Sequence, residues 1–334
     1  MAKGQIYKIH SDFYYVTNDE GNFECKIREV LKKQKEKILV GDFVEFSGGH
    51  IEKILPRRNY ISRPSVANID QIIIVSALKQ PDLNLTQLDR YIALAKYFDI
   101  PTVLCFNKED LDFEEGLIED IINIYRKLGF EILFTSALEN LGIKNFINVL
   151  KGKISVLCGN SGVGKSSLIN SINPKLNLRT KAVSDKLQRG THTTRHCEII
   201  RIDEKSSIVD TPGFSNVKFD FIMPAEVDLL FEEFVSLREQ CKYSDCLHIN
   251  EDGCNVLAHF TEIDDSRYAS YLEFVKEAQE YKEKVKNEGK KIENTKKNIN
   301  NKTVAKISER KRMASRNNLK QKIYREIEEE DYDS

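Results

Sequence analysis

Long apolar runs are missing from this 334-residue chain; the longest, such as Ile72-Ile73-Ile74-Val75, are the size of a strand. A membrane-spanning helix needs about 20 consecutive apolar residues, so no such span is expected. The opening MAKGQIYKIH has no apolar stretch of signal-peptide length, and a secreted protein is not expected either. An excess of one charge is missing too, with 51 Lys and Arg against 52 Asp and Glu. That balance hides an uneven distribution: between Lys282 and Arg325 there are 16 basic and 4 acidic residues, and the last nine residues carry six acids and no base. The cysteines, 7 in all, are too few for a disulfide scaffold at this length. Three of them, Cys241, Cys246 and Cys254, fall within 14 residues, a clustering that points to metal in a reducing cytoplasm.

What is present divides into segments of different texture. The first 62 residues read as five short strands, Gln5–Ile9, Phe13–Val16, Phe23–Ile27, Phe43–Phe46 and Ile51–Ile54, with turn residues at Asn18 to Asn22 and Ser47-Gly48-Gly49. Five strands in so short a span predict a small closed barrel of the OB-fold kind. Its charged loop Arg28–Lys37 is a candidate RNA contact, the alternative being a solvated charge run. From Ile69 the pattern alternates strands (Gln71–Ala77, Thr102–Phe106, Glu131–Thr135, Ile154–Cys158, Cys197–Ile202, Ser207–Asp210) with helices (Leu88–Phe98, Gly116–Leu128, Lys144–Leu150, Lys165–Ile172). Such alternation predicts a mostly parallel sheet with helices on both faces. After about Asp220 the chain becomes helical and Cys-containing, and beyond Lys282 it is polar and rich in Lys and Asn. The predicted architecture is multidomain α/β: a barrel over 1–63, a nucleotide domain over 64–220, a helical zinc-binding domain over 221–281 and a charged tail over 282–334.

The run Gly159, Asn160, Ser161, Gly162, Val163, Gly164, Lys165, Ser166 is a full P-loop, placed after an apolar strand and before the helical Ser167-Leu168-Ile169. The glycines let backbone N–H groups turn inward to phosphate oxygens. Lys165 then reaches the β- and γ-phosphates, and Ser166 offers a hydroxyl to Mg²⁺. Asn107-Lys108-Glu109-Asp110 follows another strand at the sheet edge where α/β proteins bind ligands. A carboxylate at Asp110 accepts from guanine N1–H and N2–H₂, a donor pair that adenine lacks. The next strand ends at Thr135-Ser136-Ala137-Leu138, where a backbone N–H can meet guanine O6. Asp210-Thr211-Pro212-Gly213 ends a further strand, with Asp210 as a Mg²⁺ partner through water and the Gly213 N–H as γ-phosphate sensor. Four motifs at four strand ends predict a GTPase domain.

Their order is unusual, because the base motifs precede the P-loop; the domain is circularly permuted. The chain therefore runs from Gly213 straight into the Cys-rich region, which wires nucleotide state to that region. This order, with Gln188-Arg189-Gly190-Thr191-His192-Thr193-Thr194, Val40-Gly41-Asp42 and the Cys/His cluster, resembles the ribosome small-subunit-dependent GTPase A family over about residues 3–280. The resemblance implies an OB-fold, a permuted GTPase and a C-terminal zinc domain. It also implies a role late in assembly of the small ribosomal subunit, with hydrolysis stimulated by that subunit and its rRNA as partner. Where the family has a basic residue before His-Thr-Thr-Thr, this chain has Thr191, with Arg195 after Thr194; which of Thr193 and Thr194 closes on Mg²⁺ stays open. Phe214 stands where many GTPases place a water-orienting Gln, which makes His192 the local catalytic candidate beside Lys165.

Cys241-x₄-Cys246-x-His248-x₅-Cys254 supplies three thiols and an imidazole, the ligand set of a closed structural zinc site. His259 is read as a surface or core residue, and Cys25, Cys105, Cys158 and Cys197 as small buried hydrophobes. The basic tail suits phosphate binding by counterion release, against a plain solvated extension. A cytoplasmic monomer with no membrane partner is expected. Two other readings stay open on the residues alone: an RNA-binding module using GTP as a structural ligand, and a GTPase acting on another RNA or protein.

Overall fold

The computed structural model describes residues 1–28, 31, 37–61, 65–176, 197–210, 218–291, 294–297 and 303–306. Strands β1 (Ala2–His10), β2 (Phe13–Asn18), β3 (Gly21–Ile27), β4 (Phe43–Ser47) and β5 (His50–Ile54) are the five expected from alternation. β1 pairs with β2, β2 with β3, β3 in parallel with β5, β5 with β4, and β4 back onto β1, so the sheet closes into an OB-like barrel. Alternate residues fill it, with Ile6, Val16, Cys25, Val44 and Ile51 all buried. Asp42 of the Val-Gly-Asp motif is buried and accepts from Leu39 N (2.7 Å) and from Arg57 Nε (2.6 Å) and Nη2 (2.8 Å). The motif is thus a clasp between the barrel and the chain leaving it. Most of the charged loop Arg28–Lys37 lies outside the described residues. At its ends Arg28 pairs with Glu52 at 2.7 Å and Lys37 donates to Ser65 Oγ at 3.0 Å.

A short hairpin of β6 (Tyr60–Ile61) and β7 (Val66–Ala67) leads into the central sheet. There β8 (Gln71–Ala77), β9 (Thr102–Asn107), β10 (Glu131–Thr135), β11 (Ile154–Cys158) and β13 (Ser207–Asp210) run parallel in the order β10-β9-β8-β11-β13. β8 is central and covered on both faces, which explains its unbroken apolar run. Helices α1 (Leu85–Tyr97) and α2 (Leu117–Tyr125) cover one face, and α3 (Ile143–Leu150) and α4 (Lys165–Ile172) the other. α1 starts three residues before Leu88 because Asn84 caps it, its side chain accepting from Gln87 N at 2.8 Å. α2 is shorter than the Gly116–Leu128 pattern, since Gly116 is left-handed and stands outside it. The antiparallel β12 (Glu198–Arg201) edges the sheet and bridges to β1 at Lys8↔Glu198, making barrel and nucleotide sheet one surface of 11 strands.

The C-terminal region holds a 3₁₀ turn at Pro224–Leu230, then α5 (Glu232–Arg238), α6 (Asn255–Ala258) and the long α7 (Asp265–Lys291). α7 packs on α1. Arg267, fully buried, donates to Asp89 at 2.6 Å and to Glu233 at 2.8 Å, and Tyr125 OH donates to the same Asp89 at 2.8 Å. Removing one partner of such a pair leaves an uncompensated charge in the interior, at a cost of about 3–5 kcal/mol. α7 continues past residue 281, so the charged segment begins as helix. Asn294–Lys297 and Thr303–Lys306 pair as an antiparallel hairpin, and the rest of the tail lies outside the described residues. Among the described residues no helix is long and apolar enough to cross a membrane.

Candidate functional site

The P-loop joins β11 to α4 at the C-terminal edge of the sheet, as the sequence places it. Two of its glycines answer to close approach. A Cβ on Gly159 would stand 2.0 Å from Val75 O, and one on Gly164, at φ +97, would stand 2.2 Å from Asn107 Nδ2. Lys165 curls over the loop and donates to Gly159 O (2.7 Å) and Asn160 O (2.8 Å). Ser166 and Ser167 follow on the first turn of α4, half-buried.

Asn107 is more than a neighbour of the base motif. It is 2% exposed; its amide donates to Val163 O (2.9 Å) and its Oδ1 accepts from Thr135 Oγ1 (3.2 Å) and Ala137 N (3.2 Å). One side chain therefore ties the P-loop, β9 and the Ser136-Ala137 turn together. Of the backbone donors in the Thr135–Leu138 stretch, the Ala137 N–H is directed to Asn107. Lys108, left-handed at φ 68, donates to Gln80 O, and burial holds its ammonium below the usual lysine range against the opposing charge of Asp110. Asp110 is exposed, and the hydroxyl of the buried Ser136 donates to its Oδ1, which anchors one oxygen of the carboxylate. Leu141 N and Ser136 exchange with each other's carbonyls at 3.1 Å, closing the turn that carries Ser136.

The Asp210 backbone ends β13 beside the P-loop strand, in register with Glu198 of β12. His192, Thr193, Thr194 and Gly213 lie outside the described residues, as do Arg195 and Phe214. Cys105 and Cys158 are buried, as expected of small hydrophobes. Burial pushes the Cys105 thiol up to about 12, the Thr135 hydroxyl opposing, and pushes Cys158 up as well. Cys25 is likewise buried, whereas Cys197 is only half-buried against the core.

Cys241, Cys246, His248 and Cys254 converge, with all ligand atoms within 4.8 Å of one another. Cys241 Sγ stands 3.7 Å from His248 Nδ1 and 4.0 Å from Cys254 Sγ, and His248 Nδ1 stands 3.3 Å from Cys254 Sγ. A tetrahedron with metal–sulfur bonds of about 2.3 Å has edges of about 3.8 Å, so the donor set fits one metal ion. Backbone N–H groups of Asn255 and Leu257 point at Cys241 Sγ (3.3 Å) and Cys254 Sγ (3.4 Å). The far ring nitrogen of His248, Nε2, donates to Asp228 at 3.1 Å, and Arg238 Nε donates to the same oxygen at 2.6 Å. That carboxylate sets the tautomer and aims Nδ1 at the thiols. Glu251 organises the loop between ligands by accepting from Leu247 N (2.8 Å), Ile249 N (2.9 Å) and Asn250 N (3.1 Å). His259 stays out, its Nδ1 bonded to Asn255 O at 2.9 Å. Sequence reasoning missed Asp228 and Glu251, which carry no local signal among many acids.

The family profile described as RsgA GTPase matches residues 54–220, and the RsgA N-terminal domain profile matches 3–52. A third, described as a 50S ribosome-binding GTPase, matches 154–305. A protein of Alkaliphilus metalliredigens named small ribosomal subunit biogenesis GTPase RsgA is 40% identical over 286 residues, 83% of this chain and 98% of that one. The chain is a member of the RsgA GTPase family. A second relative of the same name, from Caldanaerobacter subterraneus subsp. tengcongensis, is 42% identical over 83% of this chain and 96% of its own. Among solved structures, YjeQ from Thermotoga maritima superposes with a TM-score of 0.72 at 36% identity, covering 83% of this chain and 98% of that one. YloQ, described as a circularly permuted GTPase, superposes at 0.69 and 31% identity, covering 84% and 96%. As a family member the chain is a GTP hydrolase with the permuted domain order that its motifs announce.

Proposed function

We propose that this chain is a GTP-hydrolysing assembly factor that acts late in maturation of the small ribosomal subunit and is stimulated by that subunit. The observation that carries the reading is the match to relatives named for small-subunit biogenesis over 96–98% of their own length. The profile named for the 50S subunit spans only 154–305, starting at the P-loop strand and leaving out the barrel and the base motif. The roles follow from the chemistry of the site. Lys165 neutralises the β- and γ-phosphates; Ser166, Asp210 and one of Thr193 and Thr194 hold Mg²⁺; Asp110 reads guanine, with Ser136 fixing it; and Asn107 holds the loops in register. Zn²⁺ in the Cys241, Cys246, His248 and Cys254 cluster closes the C-terminal fold. The barrel and the basic tail meet rRNA, and the protein works as a cytoplasmic monomer.

Steady-state hydrolysis with purified subunits tests the reading. Intrinsic turnover is expected to be slow, on the order of 10⁻³ s⁻¹ or less, as for switch GTPases whose site is completed by a partner. Small subunits should raise it at least about tenfold and large subunits should not; the reverse pattern overturns the assignment. Lys165→Ala should lose GTP binding, whereas His192→Ala should keep nucleotide and lose the stimulation. A stimulated rate at the wild-type level in His192→Ala means that another group orients the water.

Truncation after Lys291 removes most of the basic tail and keeps α7 whole. Subunit binding should weaken and its salt dependence flatten, because fewer phosphates are neutralised. If affinity and salt slope both stay at the full-length values, the tail is a solvated extension.

A further inference from the structure

Helix α1 touches the P-loop with one residue and the C-terminal helix with the two before it. Successive residues on a helix point about 100° apart, so Asp89, Arg90 and Tyr91 reach different neighbours from one rigid turn. Tyr91, buried against the sheet, donates its hydroxyl to Asn160 Oδ1 at 2.9 Å. Asn160 is the second residue of the P-loop, and its carbonyl together with that of Gly159 accepts from Lys165. The tyrosine therefore braces the stretch of loop that positions the phosphate-binding lysine.

On its other side α1 is locked to α7. The guanidinium of Arg90 donates to Glu273 at 2.6 Å and to Glu277 at 2.7 Å while lying 4.7 Å over the Phe274 ring. Asp89 receives Arg267, which stands nearer the N-terminus of α7 than either glutamate. Charged hydrogen bonds this short are the strong kind, and the Arg90 side chain is buried while Glu273 is half-exposed. Glu277 does a second thing. The oxygen that takes Arg90 also accepts the backbone N–H of Phe219 at 3.0 Å, and the Phe219 ring packs 4.5 Å from Phe274. Phe219, the sixth residue after Gly213 in the sequence, is thereby fastened to the carboxylate that holds α1.

We propose that α1 couples the P-loop to the docked C-terminal helix: Tyr91 is a positioning residue for the loop, acting through Asn160, and Glu277 is the carboxylate that holds α1 and the Phe219 backbone against α7. Coupling of this kind is reciprocal, so docking strengthens nucleotide binding by the factor by which nucleotide strengthens docking. The inference rests on the reading of Gly159–Ser166 as the phosphate cradle, and Lys165→Ala tests that reading separately, since Lys165 has no part in the α1–α7 contacts.

The test uses the full chain with its metal, and fluorescent GTP and GDP as probes. Tyr91→Phe removes one hydroxyl and should weaken GTP binding about fivefold, the effect of one ordinary hydrogen bond. Glu277→Gln changes no P-loop atom, yet it should weaken GTP binding about threefold or more, and the double variant should lose less than the product of the two. Hydrogen exchange supplies the reverse direction. GTP should slow exchange across residues 265–286 in the wild type and fail to do so in Tyr91→Phe, a change that a merely structural tyrosine would not produce. Wild-type affinity in either single variant overturns the proposal, as does simple multiplication of the two effects. If Glu277→Gln does not fold, Glu273→Gln, which loses the other Arg90 partner at a half-exposed site, takes its place with the same expectation. If Lys165→Ala binds GTP as the wild type does, the cradle reading fails and the coupling falls with it.

Discussion

Asp110→Asn is expected to turn a GTP-binding protein into one that prefers xanthosine triphosphate. In the role proposed for it, the carboxylate would offer two acceptor oxygens to the paired N1–H and N2–H₂ of guanine. An amide keeps one acceptor and presents its own NH₂ where guanine also brings a donor. A site built around such bonds rejects a mismatched partner strongly, and GTP affinity should fall by about 100-fold or more. Xanthine carries a carbonyl at that corner, so the amide pairs with it and affinity returns. The Ser136 hydroxyl should keep its grip, because the amide oxygen still accepts, and the fold should be unchanged. Competition between GTP, ATP and XTP for a fluorescent nucleotide measures the outcome. Unaltered preference for GTP in the variant means that Asp110 does not read the base.

Loss of the metal should have the second large effect, in a different part of the molecule. Cys246→Ser leaves three ligands of four, and the serine hydroxyl is a poor substitute for a thiolate. Structural zinc sites contribute their binding free energy to folding, about 10–16 kcal/mol in small zinc-finger peptides at neutral pH. The C-terminal region has a core of its own around Phe231, Phe234, Tyr271 and Phe274, so the loss is shared with packing. Native mass spectrometry should show one zinc in the wild type and none in the variant. Hydrogen exchange should accelerate across residues 231–286 while β8, β9 and β11 stay protected. GTP binding should survive in weakened form, since the cradle and base residues stand on the central sheet. A zinc-free wild type, or a variant with full C-terminal protection, defeats this account.

Both predictions draw on parts of the protein that were legible along the chain. The P-loop is readable because its chemistry is local: eight consecutive residues fold the backbone around a phosphate wherever a strand precedes and a helix follows. The Cys/His cluster is readable for the same reason, its four ligands lying within 14 residues. Asn107 marks the boundary of that legibility. Its motif is plain in the sequence, but its side chain bonds to Val163 and Ala137, which are 56 and 30 residues away. Nothing in Asn-Lys-Glu-Asp specifies that its first side chain holds the P-loop and the Ser136-Ala137 turn.

Local patterning along the chain sets the elements, their order and the reactive groups: alternation sets five barrel strands, apolar runs set the parallel sheet, and glycine spacing sets the P-loop. These depend on backbone geometry and on neighbours a few residues apart. Which distant groups meet is settled only by the folded arrangement. Asp228 reaches His248 across 20 residues, Tyr91 reaches Asn160 across 69, and Arg267 reaches Asp89 across 178. It also decided that β4 closes on β1, and that β12 joins the barrel to the nucleotide sheet at Lys8 and Glu198. The physical reason is that a buried charge or hydroxyl needs a partner but does not specify where in the chain that partner lies. Strand order and helix packing bring the partners together, and both are settled by burial summed over the whole chain.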